Sequence, residues 1–142
     1  MEIRELVSKD IDIVVDLWYE TSIIAHDFIP GDYWKNNKGA MAFEYLPNSE
    51  TYLAIENGEI VGFVAMIENF LAAIFVDNQF QGQGIGKSLL NFVKHKRTRI
   101  KLNVYEKNRK SIDFYKSQGF IIKAISEEEK TCENEFLMEW TR

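Results

Sequence analysis

The chain is poor in the residues that cross-link a protein or anchor it. Its single cysteine, Cys132, leaves no partner for an intrachain disulfide, and no paired thiol or repeated ligand spacing builds a zinc site, so no metal is expected. No stretch approaches the roughly 20 apolar residues that a bilayer span needs, and the opening Met-Glu-Ile-Arg-Glu lacks the apolar centre of a signal peptide. A cytoplasmic protein with no membrane role is the expectation. Positive charge is in deficit: 17 Lys and Arg face 22 Asp and Glu, a formal −5 that argues against a nucleic-acid partner. No internal repeat or low-complexity linker divides the 142 residues, too few for two domains of ordinary size, so residues 1–142 read as one domain.

What is present is a core. Apolar residues make up 46% of the chain, and their spacing alternates between the two regular periods. Residues 3–6 read as a first strand, followed by a helix around Ile11, Val14, Val15 and Trp18. Pro30 opens a short second helical region through Trp34, Lys38 and Met41. Residues 51–56 and 60–67 are apolar runs joined by Asn57-Gly58, the pair that supplies positive φ in a tight hairpin, and 70–76 adds a third strand to the meander. Residues 84–96 carry an apolar helical face at Ile85, Leu89, Leu90 and Val93. A strand at 100–104, a short helix at 110–117 and strands at 120–125 and 135–140 complete a mixed α/β chain.

Charge is segregated along it. Residues 1–86 hold 4 Lys/Arg against 14 Asp/Glu, a net −10; residues 87–116 hold 10 against 2, a net +8; the rest is net −3. The positive segment begins where Gln81-Gly82-Gln83-Gly84-Ile85-Gly86-Lys87 ends, between a strand and a helix. Glycines there allow close approach of a ligand, and amide N–H groups at a helix N-terminus suit phosphate oxygens, with Lys87 adding charge. The Lys-Ser/Thr order of a nucleotide-hydrolysing phosphate loop is missing, and the dinucleotide Gly-x-Gly-x-x-Gly spacing is incomplete.

Two separated motifs resemble the GNAT family of acetyl-CoA-dependent N-acetyltransferases. The family's Gln/Arg-x-x-Gly-x-Gly/Ala loop corresponds to Gln81-Gly82-Gln83-Gly84-Ile85-Gly86. Its later Asn-x-x-Ala-x-x-Phe-Tyr-x-x-x-Gly-Phe pattern corresponds to Asn108-Arg109-Lys110-Ser111-Ile112-Asp113-Phe114-Tyr115-Lys116-Ser117-Gln118-Gly119-Phe120, with Ser111 in place of the common Ala. The resemblance spans nearly the whole chain and points to small bacterial members of the YiaC and YjaB type. It implies a single, largely antiparallel twisted sheet flanked by helices, with a splayed central strand pair. It also implies acetyl-CoA as cosubstrate, held by Ile74, Phe75, Val76, residues 81–87, Asn108 and Tyr115.

By the same resemblance the expected activity is direct acyl transfer in a ternary complex to an amine-bearing small molecule, peptide or protein; a non-catalytic acyl-CoA sensor is the alternative. Tyr115 is the expected proton donor to the leaving sulfur, with ring packing as its competing role. The strand position where several family members place a basic Glu falls on Phe70. Glu68, two residues earlier and on the same face of a regular strand, is the candidate base by proximity. His26, Asp27 and Phe28 occupy the segment that lines the family's acceptor cleft; His26 reads equally as a capping or packing residue and Asp27 as a turn residue, while Phe28 is more often core than recognition surface. The C-terminal strand serves an internal sheet or a dimer edge, so monomer and homodimer both stay open.

Overall fold

Apolar side chains alternate along the inner strands so that each face of one sheet feeds its own core. The computed structural model describes residues 1–142, with elements in the order β1 (Glu2–Glu5), α1 (Ile11–Ala25), α2 (Gly31–Asn36), α3 (Lys38–Ala40), β2 (Glu50–Glu56), β3 (Glu59–Ile67), β4 (Phe70–Val76), α4 (Ile85–Lys94), β5 (Arg99–Tyr105), α5 (Arg109–Ser117), β6 (Ile121–Glu127) and β7 (Asn134–Thr141). On one face, Val64, Met66, Ile100, Leu102, Val104 and Met138 pack beneath Ile85, Leu89, Leu90 and Val93 of α4 and Ile112 and Tyr115 of α5. On the other, Leu53, Phe63, Ala65 and Ala73 pack beneath Val14, Val15, Leu17 and Trp18 of α1, with Trp34, Met41 and Leu46 extending the cover.

The sheet order is β1-β2-β3-β4-β5-β7-β6, antiparallel at every seam except β4–β5. Asn57 and Gly58 take φ of 51° and 80°, the positive torsions that close the β2–β3 hairpin with the right twist. The second helical region is not one helix. α2 stops at Asn36, α3 spans a single turn, and the chain then widens into a π turn at Met41–Tyr45. The strand-like C-terminus lies inside the sheet: β7 inserts between β5 and β6, pairing from Arg99↔Thr141 to Tyr105↔Glu135 on one side. β6 is left as the outer strand.

The β4–β5 seam is the one that positions a site. These strands share a single parallel pairing, Phe70↔Lys101, supported by Lys101 N–H donating to the Asn69 carbonyl at 2.9 Å. Beyond it they part. β4 is also bent, because Ala65 pairs with Ala73 while Met66 pairs with Leu71, so Ala72 is an extra residue without a partner on β3. The expected splay is therefore present, and it opens toward the C-terminal ends of both strands.

Candidate active site

The loop after β4 ends on unsatisfied donors. A helix leaves its first N–H groups without internal acceptors, and here the deficit extends backward through the loop. The first internal bond of α4 is Ser88 N–H to the Gly84 carbonyl at 3.0 Å, and no amide from residues 81–87 donates to a protein acceptor. Gly84, the N-cap, sits at φ 82° in the left-handed region, with nothing within 4 Å of where a Cβ would project. The loop faces a cleft of about 1240 Å³ lined by Gln81, Gly82, Gly84, Ile85, Gly86 and Lys87. Side chains brace it: Gln81 Nε2 donates to the Val76 carbonyl at 3.1 Å, and Lys110 Nζ donates to Gln81 Oε1 at 2.9 Å. The positive segment of the sequence thus delivers Lys87, Arg109 and Lys110 to the rim of a nest of N–H donors.

The cleft continues into the wedge between β4 and β5. Asp77 N–H donates to the Val61 carbonyl at 2.8 Å, and pairing stays in register from Gly62↔Val76 to Ala65↔Ala73. Antiparallel alternation then directs the peptide groups of Phe75 and Ala73 toward β3 and those of Ile74 and Val76 toward the gap. An extended, amide-bearing chain fits there as a strand would. These unpaired donors and the open cradle are the fit that acetyl-CoA requires. Ile74, Val76 and residues 81–87 would hold its pantetheine and pyrophosphate, and it would supply a thioester carbonyl open to attack by an amine.

Tyr115 reaches the same cleft from α5. It is 8% exposed, and burial alone raises its phenol well above the usual range, with no hydrogen bond or neighbouring charge contributing. The hydroxyl is thus protonated and uncommitted to any protein acceptor. Asn108 caps the same helix, its side chain accepting from Ser111 N–H at 3.3 Å, while its Nδ2 lies 3.3 Å from His26 Nε2. His26 is buried under Trp34, with ring centroids 5.0 Å apart. Burial lowers its pKa from 6.5 to about 4, offset only in part by the nearby Ser22 carbonyl, so the imidazole is neutral. Asp27 is exposed at the cleft wall. Phe28 stands behind it, edge-on to His26 and Tyr105, and does not line the cleft.

Glu68 is not brought to this cleft. The regular strand assumed for it ends first: Glu68 lies in the β3–β4 turn at φ 54°, and the reversal carries its side chain to a separate surface recess shared with Glu50 and Arg97. Arg97 Nε donates to the Glu68 carbonyl at 2.9 Å, fixing the turn. Besides Asp27, the carboxylates that line the cleft are Glu128 and Glu135, both of which sequence reasoning missed. Tyr105 donates to Glu128 Oε1 at 3.0 Å, as does Thr131 Oγ1 at 2.9 Å. Glu135 stands opposite Tyr105 across the β5–β7 seam, and its carboxyl is raised, first by burial and then by Glu128. Tyr33 is raised by burial and by the same two carboxylates. One end of the cleft is therefore electropositive and the other acidic and tyrosine-lined.

Comparison with known proteins agrees with this geometry. Residues 47–122 match the acetyltransferase (GNAT) domain. The chain is 34% identical to peptidyl-lysine N-acetyltransferase YiaC of Escherichia coli K12 over 97% of this chain and 95% of that protein. It is 27% identical to peptidyl-lysine N-acetyltransferase YjaB of Salmonella typhimurium over 89% of this chain and 88% of that one. Among solved structures, apo YjaB from Escherichia coli superposes with a TM-score of 0.86 at 22% identity, covering 98% of this chain and 96% of that one. The PaiA N-acetyltransferase of Thermoplasma acidophilum in complex with coenzyme A gives 0.83 at 19% identity, covering 99% and 98%. The chain belongs to the GNAT family and is an acetyl-CoA-dependent N-acetyltransferase.

Proposed function

We propose that the acceptor is a lysine side chain presented on a peptide or protein. The observation that carries this reading is the division of one cleft into a donor-rich cradle at residues 81–87 and an acidic, tyrosine-lined wall at Glu128, Glu135, Tyr33 and Tyr105. A lysine ammonium would be drawn to that wall and would slide its apolar stem along the tyrosines. Asp27 extends the same negative surface outward, as a cationic peptide would require. The naming of both full-length relatives as peptidyl-lysine acetyltransferases supports the same class.

The chemistry assigned to the chain is proton handling and charge stabilisation. Glu135, with its raised carboxyl, takes a proton from the bound ammonium and leaves the nucleophilic amine. The Ile74 N–H, the one farther from the phosphate loop, stabilises negative charge developing on the carbonyl oxygen, and the Val76 N–H serves pantetheine. Tyr115 donates to the departing thiolate. Incubation with acetyl-CoA and a panel of lysine peptides, small polyamines and amino-terminal amines, read by mass spectrometry, tests the assignment. Peptide ε-amine acetylation with little modification of small amines is the expected result, and preference for a free small amine would contradict it.

A further inference from the structure

His26 and Asn108 are 82 positions apart in sequence, yet their side chains meet at 3.3 Å, joining the end of α1 to the first turn of α5. The orientation of that contact is determined by chemistry. Asn108 Oδ1 is occupied in accepting from Ser111 N–H, so the atom turned toward His26 is the Nδ2 donor. His26 Nε2 must therefore accept, which places the ring proton on Nδ1. Nδ1 itself is buried without a hydrogen-bond partner, and the ring is clamped by Trp34, Phe75, Tyr105 and Phe28, so that only 7% of the residue is exposed where it borders the cleft.

We propose that His26 is a positioning residue: its neutral imidazole, by accepting from Asn108 Nδ2, holds the Asn108 amide in the orientation that caps α5 and so sets Tyr115 toward the cleft. The sequence offered His26 as a substrate-binding residue. The geometry instead ties it to the helix that carries the proton donor, so its influence on turnover runs through Asn108. This rests on Tyr115 being that donor, which Tyr115→Phe tests separately.

The experiment compares His26→Phe, which keeps the aromatic packing and removes the acceptor, with His26→Gln, whose carbonyl oxygen restores one. Loss of a single orienting hydrogen bond is expected to lower kcat about tenfold in His26→Phe, with the KM values for acetyl-CoA and peptide within about threefold of wild type. His26→Gln is expected to recover most of kcat. A raised peptide KM at unchanged kcat would overturn the proposal, as would equal kcat in the two variants. Nitrogen-15 NMR of the wild-type imidazole gives a readout independent of activity and of variant folding. The Nδ1–H tautomer with Nε2 unprotonated supports the proposal, and the Nε2–H tautomer refutes it even if Tyr115 is the acid.

Discussion

Replacing Tyr115 with Phe removes one oxygen and leaves the ring in place against Phe114 and Phe120, at centroid distances of 5.5 and 5.7 Å. Because no protein group hydrogen-bonds that hydroxyl, folding stability should change by less than about 1 kcal/mol. Turnover should change more. General acid assistance contributes about 10²–10⁴ in rate, and the size depends on how well donor and acceptor are matched. The thiolate of a thiol of ordinary pKa, about 8.5, is a weaker base than the phenolate of a phenol near 10, and burial pushes this phenol higher still. Full proton transfer is thus uphill, so in the proposed role the phenol would act mainly as a hydrogen-bond donor to the leaving sulfur. That places the expected loss in kcat at the lower end, about a hundredfold, or ~2.7 kcal/mol. The assay is steady-state CoA release with a thiol-reactive chromophore. Exposed Cys132 contributes a stoichiometric offset to the signal, leaving the rate unaffected. The same raised pKa means that this group causes no alkaline fall in kcat below pH 10. A Tyr115→Phe enzyme within about threefold of wild-type kcat, with unchanged melting temperature, would refute the acid assignment.

Three further outcomes are expected. Gly84→Ala places a Cβ on a residue at φ 82°, a strain of about 1–2 kcal/mol, so its melting temperature should fall and its KM for acetyl-CoA rise as the cradle deforms. Glu135→Gln should lower kcat/KM for a lysine peptide and remove the acidic limb of its pH profile; an acidic limb that survives points to another base. His26 is held at about 4 against 6.5 unfolded, so the unfolded chain takes up that proton first as pH falls. Its contribution is complete above about pH 6.5 and is lost toward pH 4, by about 3 kcal/mol in all. Urea denaturation from pH 7 to 4 should therefore fall less steeply for His26→Gln than for wild type, and equal slopes would contradict it.

The cradle was legible because its chemistry is contiguous. Residues 81–87 needed only a strand before them and a helix after them, and the apolar periods on either side supplied both. Tyr115 followed from a second local motif on one short helix. Glu68 failed because the alternation of the strand that begins at Phe70 was carried back through the turn at Glu68 and Asn69, where the chain reverses and no longer alternates. Glu128 and Glu135 failed for a topological reason. β7 inserts between β5 and β6, and that insertion sets Glu135 opposite Tyr105. Period-two alternation identifies a strand but not its neighbours. The His26–Asn108 contact likewise belongs to tertiary packing, and no spacing rule links residues so distant. The break after α2 followed from the glycine and asparagine content of residues 36–39, which weakens a continuous helix.

The central claim is that the backbone amides of residues 81–87 are the phosphate-binding donors of this enzyme. Titration of nitrogen-15-labelled protein with CoA, followed by amide chemical shifts, tests it most directly. The account predicts saturable shifts centred on residues 81–87 and extending to Ile74 and Val76, with much smaller changes along β1 and β6. Saturable binding that leaves those loop amides unmoved, or no binding at millimolar CoA by a folded chain, would contradict it.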